Sequence, residues 1–74
     1  MSPTPEVLAL KAHEGLVWSM AKGYSGKGVP IEDLLASGRI GVIRASRRFD
    51  PSRGTKLSSF VYFYVRALII SALT

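Results

Sequence analysis

The chain has 74 residues, no cysteine, a net charge of +5 and an isoelectric point near 10.1. That length has room for about three helices around one thin core, so residues 1–74 read as a single domain. Without cysteine there is no disulfide framework and no thiolate metal site, and the natural home is a reducing, cytoplasmic compartment.

The charge is unevenly placed. From Arg39 to Arg66 seven cations (Arg39, Arg44, Arg47, Arg48, Arg53, Lys56, Arg66) stand against one acid, Asp50; before Arg39 three cations face four acids. A basic segment this lopsided fits an anion-binding face, for nucleic acid or an anionic surface.

Met1 to Leu10 holds two prolines and several polar positions where an apolar targeting core would stand, so no leader is expected. Thr4-Pro5-Glu6 reads as a helix start, with Thr4 as N-cap, Pro5 at the first helical position and Glu6 in the first turn. Val7, Leu8, Ala12, Leu16, Met20 and Tyr24 recur at three- and four-residue steps, with Leu10 and Val17 beside them, which predicts one amphipathic helix to about Tyr24. Trp18 falls off that stripe and either bridges to another helix or meets a partner. Ser25-Gly26-Lys27-Gly28-Val29-Pro30 is a turn, too short for a phosphate-cradling loop.

A second helix is predicted from Pro30 or Ile31, with Glu32 and Asp33 at its positive end and Ile31, Leu34, Leu35, Ile40, Val42 and Ile43 on its buried face. Gly38 and Gly41 either let another backbone approach closely or mark a break between two short helices. Arg44, Arg47 and Arg48 load the C-terminal turns, where they complement the helix dipole or reach a phosphate. Phe49 closes the helix on its apolar side.

Asp50-Pro51-Ser52-Arg53-Gly54 is a tight turn in which Gly54 takes a positive φ. Ser58 or Ser59 caps a third helix that runs to about Leu73. Its apolar residues cover nearly every side, with Phe60, Phe63, Tyr64, Ala67 and Leu68 on one and Val61, Val65, Ile69 and Ala72 on another. Such a helix is central to a bundle or covered by a partner. Phe60 to Leu73 falls short of the ~20 apolar residues of a bilayer span and carries Arg66 near its middle, so no membrane association is expected.

The fold class expected is all-α, a compact three- to four-helix module. His13 is the chain's one histidine and the five carboxylates are scattered, so neither a metal site, a cofactor nor acid–base catalysis is expected, and the chain reads as no enzyme. What remains is the stretch Arg47 to Arg66. Four of the seven aromatics stand in five positions there, Phe60, Tyr62, Phe63 and Tyr64, among Arg53, Lys56 and Arg66. Cations beside clustered aromatics hold a phosphate backbone and stack on unpaired bases.

The run Ile31-Glu-Asp-Leu-Leu-Ala-Ser-Gly-Arg-Ile-Gly-Val-Ile-Arg-Ala-Ser-Arg-Arg-Phe-Asp-Pro-Ser-Arg-Gly-Thr-Lys-Leu-Ser-Ser-Phe60 resembles region 2 of the housekeeping-type bacterial sigma factor family. Leu16-Val-Trp-Ser-Met-Ala-Lys-Gly-Tyr24 is similar to the helix before it, and the resemblance covers roughly residues 10 to 73. It implies a module that binds the clamp helices of the largest subunit of core RNA polymerase and recognises and melts the minus-ten promoter element. Asp33, Leu34, Ala36, Ser37 and Gly38 match the polymerase-binding segment, with Ala36-Ser37 where the family usually has Gln-Glu. Phe49, Arg53, Ser59 and Phe60 match the pocket for a flipped adenine of the non-template strand. Phe63 and Tyr64 stand in place of a Trp pair, Ala67 in place of a Gln, and Thr55 and Leu57 in place of aromatics. Arg47, Arg48, Lys56 and Arg66 complete the DNA-binding set.

The matching sequence reaches no counterpart of the domain that reads the minus-thirty-five element. Either the sequence is a piece of a longer chain, or a second sigma-like chain, bacterial or phage-encoded, supplies that reading. The departures from the family pattern leave a second function open, a polymerase- or sigma-binding decoy that regulates transcription without melting DNA.

Overall fold

In the computed structural model, which describes residues 2–74, four helices follow one another with no strand among the described residues. Met1, the first residue of the segment read for a targeting core, lies outside them. The helices are α1, Pro5–Ala12; α2, Glu14–Gly23; α3, Ile31–Arg48; and α4, Leu57–Leu73, with a single 3-10 turn at Pro51–Arg53 between the last two. The fold class agrees with the sequence reading.

The first helix starts as its sequence dictates: the Thr4 hydroxyl accepts the Val7 N–H at 3.2 Å, and Pro5 stands in the first turn. It does not continue to Tyr24. His13 leaves helical backbone (φ −115°, ψ 15°), and its ring Nδ1 lies 2.9 Å from the Ala9 carbonyl that its own N–H also reaches. With Gly15 just beyond, a weak helix former, the chain bends there. A one-residue break barely shifts the apolar spacing, so periodicity alone runs straight through it.

The break also changes which face is buried. Ala9, Val17 and Ala21 lie against the core, whereas Val7, Leu8 and Ala12 are exposed and Leu16, Met20 and Tyr24 are half-buried. Small side chains win the inner positions because α1 and α2 both pack closely on α3.

Helix α3 is unbroken through both glycines. Leu34, Leu35, Gly38, Gly41, Val42 and Ala45 form one buried stripe at helical spacing. A Cβ on Gly41 would sit 2.9 Å from the Tyr64 carbonyl oxygen and from the Val65 Cα, so α4 crosses α3 backbone to backbone at that point. A Cβ on Gly38 would meet the Val17 side chain of α2 at 2.9 Å. The two glycines are therefore crossing points and not a break. Ile40, expected inside, is 45% exposed, because it stands nearly opposite the centre of that buried stripe on the helix. Ile31 and Ile43 are half-buried.

The α3–α4 turn is built as read. The Asp50 carboxylate accepts the Ser52 N–H at 3.0 Å and the Ser52 hydroxyl at 2.6 Å, and Gly54 takes φ 77°. Helix α4 then begins at Leu57, behind Lys56, with no side-chain cap; Ser58 and Ser59 lie inside its first turn. Val61, Val65 and Ile69 are fully buried and, with Leu34, Val42 and Val17, form the centre of the core. Each contributes roughly 1.5–3 kcal/mol by leaving water. The Cα envelope measures 39 × 31 × 16 Å, and with helices ~10 Å across only two layers fit its thin direction. The outer side of α4 consequently has no protein layer over it.

Candidate nucleic-acid interface

Side chains on α4 point about 100° apart from one residue to the next, so the aromatic run cannot act as one surface. It divides in two. Phe60 and Tyr64, one turn apart, lean toward the end of α3: the Phe49 and Phe60 rings stand 5.9 Å apart and the Phe60 and Tyr64 rings 5.0 Å, all three half-buried. Such tilted contacts suit the quadrupoles of the rings. The Arg48 guanidinium donates to the Tyr64 hydroxyl at a long 3.5 Å and joins this cluster to the basic end of α3.

Tyr62 and Phe63 face elsewhere. Their rings meet edge to face at 5.6 Å, and Phe63 is 66% exposed, the highest value among the exposed large apolar side chains of the described residues. With His13, Leu16, Ser58 and Ser59 they line a shallow groove of about 430 Å³ between the α1–α2 joint and α4. Arg66, exposed, follows Phe63 by three positions and Tyr62 by four, and so shares their side of the helix. Phe63 and Tyr64, expected to work as a pair, belong to different clusters.

The cations are not equally free. Arg47 Nε lies 3.6 Å from Glu6 Oε1 of α1, and Arg53 Nε lies 3.7 Å from Asp50 Oδ2. Lys56 and Arg66 are exposed and stand in no ion pair among the described residues. The Ser52 hydroxyl and then the Ser52 N–H, both donating to Asp50, hold its carboxyl below the usual carboxylate range. The turn is thus anionic at its centre and cationic at its edge.

Of the residues read from sequence, Phe49, Phe60, Tyr64 and Arg48 are brought together at the α3–α4 corner, and the Arg53 turn joins the same two helices. Ser59 and Phe63 lie on the outer groove, Arg66 beside them. In the segment matched to polymerase binding, Asp33 and Ala36 are exposed and Ser37 is half-buried, but Leu34 is fully buried and Gly38 is buried against Val17. Leu34 and Gly38 hold that segment in place and offer a partner no surface. Thr55 is exposed; Leu57 is half-buried and packs against the core. Ser58, His13 and Leu16 are not among the site residues read from sequence, and Tyr62 enters there only as one of the clustered aromatics. The four-residue steps Ser58–Tyr62 and Ser59–Phe63 signal the α4 half of the groove, whereas nothing local signals His13 and Leu16.

A family model for Sigma-70 region 2 matches residues 9–74. The chain belongs to the sigma-70 region 2 family. The RNA polymerase sigma factor sigD, chloroplastic, of Arabidopsis thaliana is 44% identical over 63 residues, which cover 85% of this chain and 15% of that protein. RNA polymerase sigma factor RpoH of Zymomonas mobilis is 36% identical over 58 residues, covering 78% of this chain and 19% of the relative. RNA polymerase sigma factor SigA4 of Synechococcus elongatus is 39% identical over 64 residues, covering 86% and 21%. The chain thus spans about a fifth or less of the length of these sigma factors. The region 2 match takes in both aromatic clusters, the 3-10 turn and the first half of α3. No helix among the described residues is long and apolar enough to cross a membrane.

Proposed function

We propose that this sigma-70 region 2 chain is a transcription-initiation module, a binding protein with no covalent chemistry of its own, acting in the cytoplasm. In this reading Asp33, Ala36 and Ser37 on α3 meet the clamp helices of core RNA polymerase, and the α3–α4 corner with the outer side of α4 holds the melted minus-ten strand. The observation that carries it is the pairing of a half-buried aromatic cluster with an exposed one on a helix flanked by cations. Flipping a base out of the duplex costs a few kcal/mol. Stacking returns about 1–3 kcal/mol per base, so Phe60 and Phe63 together supply enough to retain single strand once it is open. With Ala67 exposed and unable to hydrogen-bond a base edge, melted DNA is held more firmly than sequence is read. A partner chain supplies minus-thirty-five recognition, or the rest of a longer polypeptide does.

The test is to mix the chain with core polymerase and a pre-melted promoter bubble at low salt. Comigration of all three supports the reading, and its absence sinks it. Phe63→Ala should weaken the pre-melted template more than duplex. The decoy reading draws support from Arg47, Arg48 and Arg53, each already engaged within the chain. It forecasts inhibition, with no promoter-dependent transcript from chain plus core.

A further inference from the structure

Seven cations between Arg39 and Arg66 stand beside one acid in the sequence, but the fold brings a second acid to them. Glu6, from the first turn of α1, lies 3.6 Å from the Arg47 guanidinium at the end of α3. The two partners are unequally held: the Glu6 side chain is 32% exposed and that of Arg47 68%. Glu6 is also kept in place from below, since the Thr4 cap and Pro5 fix its turn, and a carboxylate in the first turn is favoured by the helix dipole. Arg47 is therefore the partner free to leave.

We infer that Glu6 is an internal competitor for the phosphate that Arg47 would otherwise bind, so that α1 limits the affinity of the basic α3–α4 corner for single-stranded nucleic acid. The inference rests on the nucleic-acid reading above and adds to it a positioning residue outside the basic stretch. A phosphate reaching Arg47 must either displace Glu6 or approach a guanidinium with a carboxylate 3.6 Å away that repels it. Lys56 and Arg66, without such a partner among the described residues, contribute to binding in full. Displacement also removes the ion pair that ties α1 to the end of α3, leaving that connection to apolar packing around Ala9.

The experiment is a double-mutant cycle. A short fluorescent single-stranded deoxyoligonucleotide is titrated with the full 74-residue chain across a salt series, using wild type, Glu6→Gln, Arg47→Gln and the double variant. Lys56→Gln in both Glu6 backgrounds is the control. An exposed pair is worth up to about 1 kcal/mol, so Glu6→Gln should tighten binding by roughly two- to five-fold at low salt. It should also steepen the slope of log affinity against log salt by up to about 0.7, the value for one more phosphate contact on a single strand. Arg47→Gln should weaken binding less in the wild-type background than in the Glu6→Gln background, where it should reverse the whole gain, whereas Lys56→Gln should cost the same in both. Equal effects of Arg47→Gln in the two backgrounds, or an unchanged slope in Glu6→Gln, overturn the inference while leaving the nucleic-acid reading standing. A wild-type chain that binds no oligonucleotide overturns that reading itself. Circular-dichroism melting of each variant separates a binding change from loss of fold.

Discussion

The two aromatic clusters of α4 are made from one run of five residues and face different tasks. Phe60 and Tyr64 close against Phe49, half-buried, with their contacts inside the molecule. Tyr62 and Phe63 touch each other and otherwise face solvent and the groove. The difference follows from the helical repeat and from where α4 crosses α3. With Val61, Val65 and Ile69 pointing inward, Phe63 is turned almost directly away from the buried stripe, whereas Phe60 and Tyr64 are half-covered where Phe49 stands against Phe60. Aromatic side chains in a basic neighbourhood are thus not interchangeable: one cluster is half-covered at the corner, the other stands open to solvent.

Gly41 sets this division, and substituting it is the strongest way to break it. Gly41→Val places side-chain atoms against the Tyr64 carbonyl and the Val65 Cα, backbone that cannot step aside, so α4 must shift as a whole. The expected loss is about 3 kcal/mol of stability, seen in urea unfolding, with both clusters disturbed together. A wild-type midpoint would contradict the crossing.

Phe60→Ala breaks the inner cluster alone. Phe60 joins Phe49 to Tyr64, and removing a half-buried ring should cost about 2 kcal/mol, less than the ~3–5 kcal/mol of a fully buried Phe. Phe63→Ala is the contrasting case. Its ring is mostly in water, so thermal unfolding should move by less than about 0.5 kcal/mol. Affinity for a pre-melted bubble should nevertheless fall by the ~1–3 kcal/mol of one stacked base. If Phe63→Ala unfolds the chain, or Phe60→Ala leaves stability untouched, the assignment of the clusters is reversed.

The smallest effect concerns the turn that carries Phe49 toward Phe60. Hydrogen bonds from the Ser52 hydroxyl and N–H depress the Asp50 pKa below its ordinary 3.8. A depressed carboxylate stabilises the folded state above its unfolded pKa, and that contribution disappears as pH falls through the lower folded value. Acidification below about pH 4 should therefore shift the ring resonances of Phe49 and Phe60 in NMR spectra before those of Tyr62 and Phe63. Asp50→Asn should remove that order of events. Simultaneous shifts in both clusters would mean that the turn does not hold the inner one.

Local chemistry on the page of the sequence accounts for a good part of this. The Thr4 cap, the Asp50–Gly54 turn, the end of α4 near Leu73 and the inward stripe of Val61, Val65 and Ile69 each depend on residues within a turn or two of one another. The ordered motifs from Asp33 to Phe60 likewise carried the family, which the match over residues 9–74 then showed. The bend at His13, the start of α4 at Leu57 and the exposure of Ile40 were misread, because apolar spacing and two adjacent serines do not specify which side the neighbouring helix will take.

The sequence by itself determined that helical segments with a basic second half would form, though not that the first would divide at His13, since propensity, capping and charge order are local properties. Tertiary structure alone decided how the second half is used. Whether Gly38 and Gly41 were a break or a crossing depended on Val17 and on the α4 backbone. Whether Leu34 could meet a partner depended on its complete burial. Whether Arg47 was a free cation depended on Glu6, held beside it only because α1 folds back on α3. Contacts between residues far apart in the chain leave no periodic trace, and it is those contacts that divide the aromatic run into an inner cluster and an outer one.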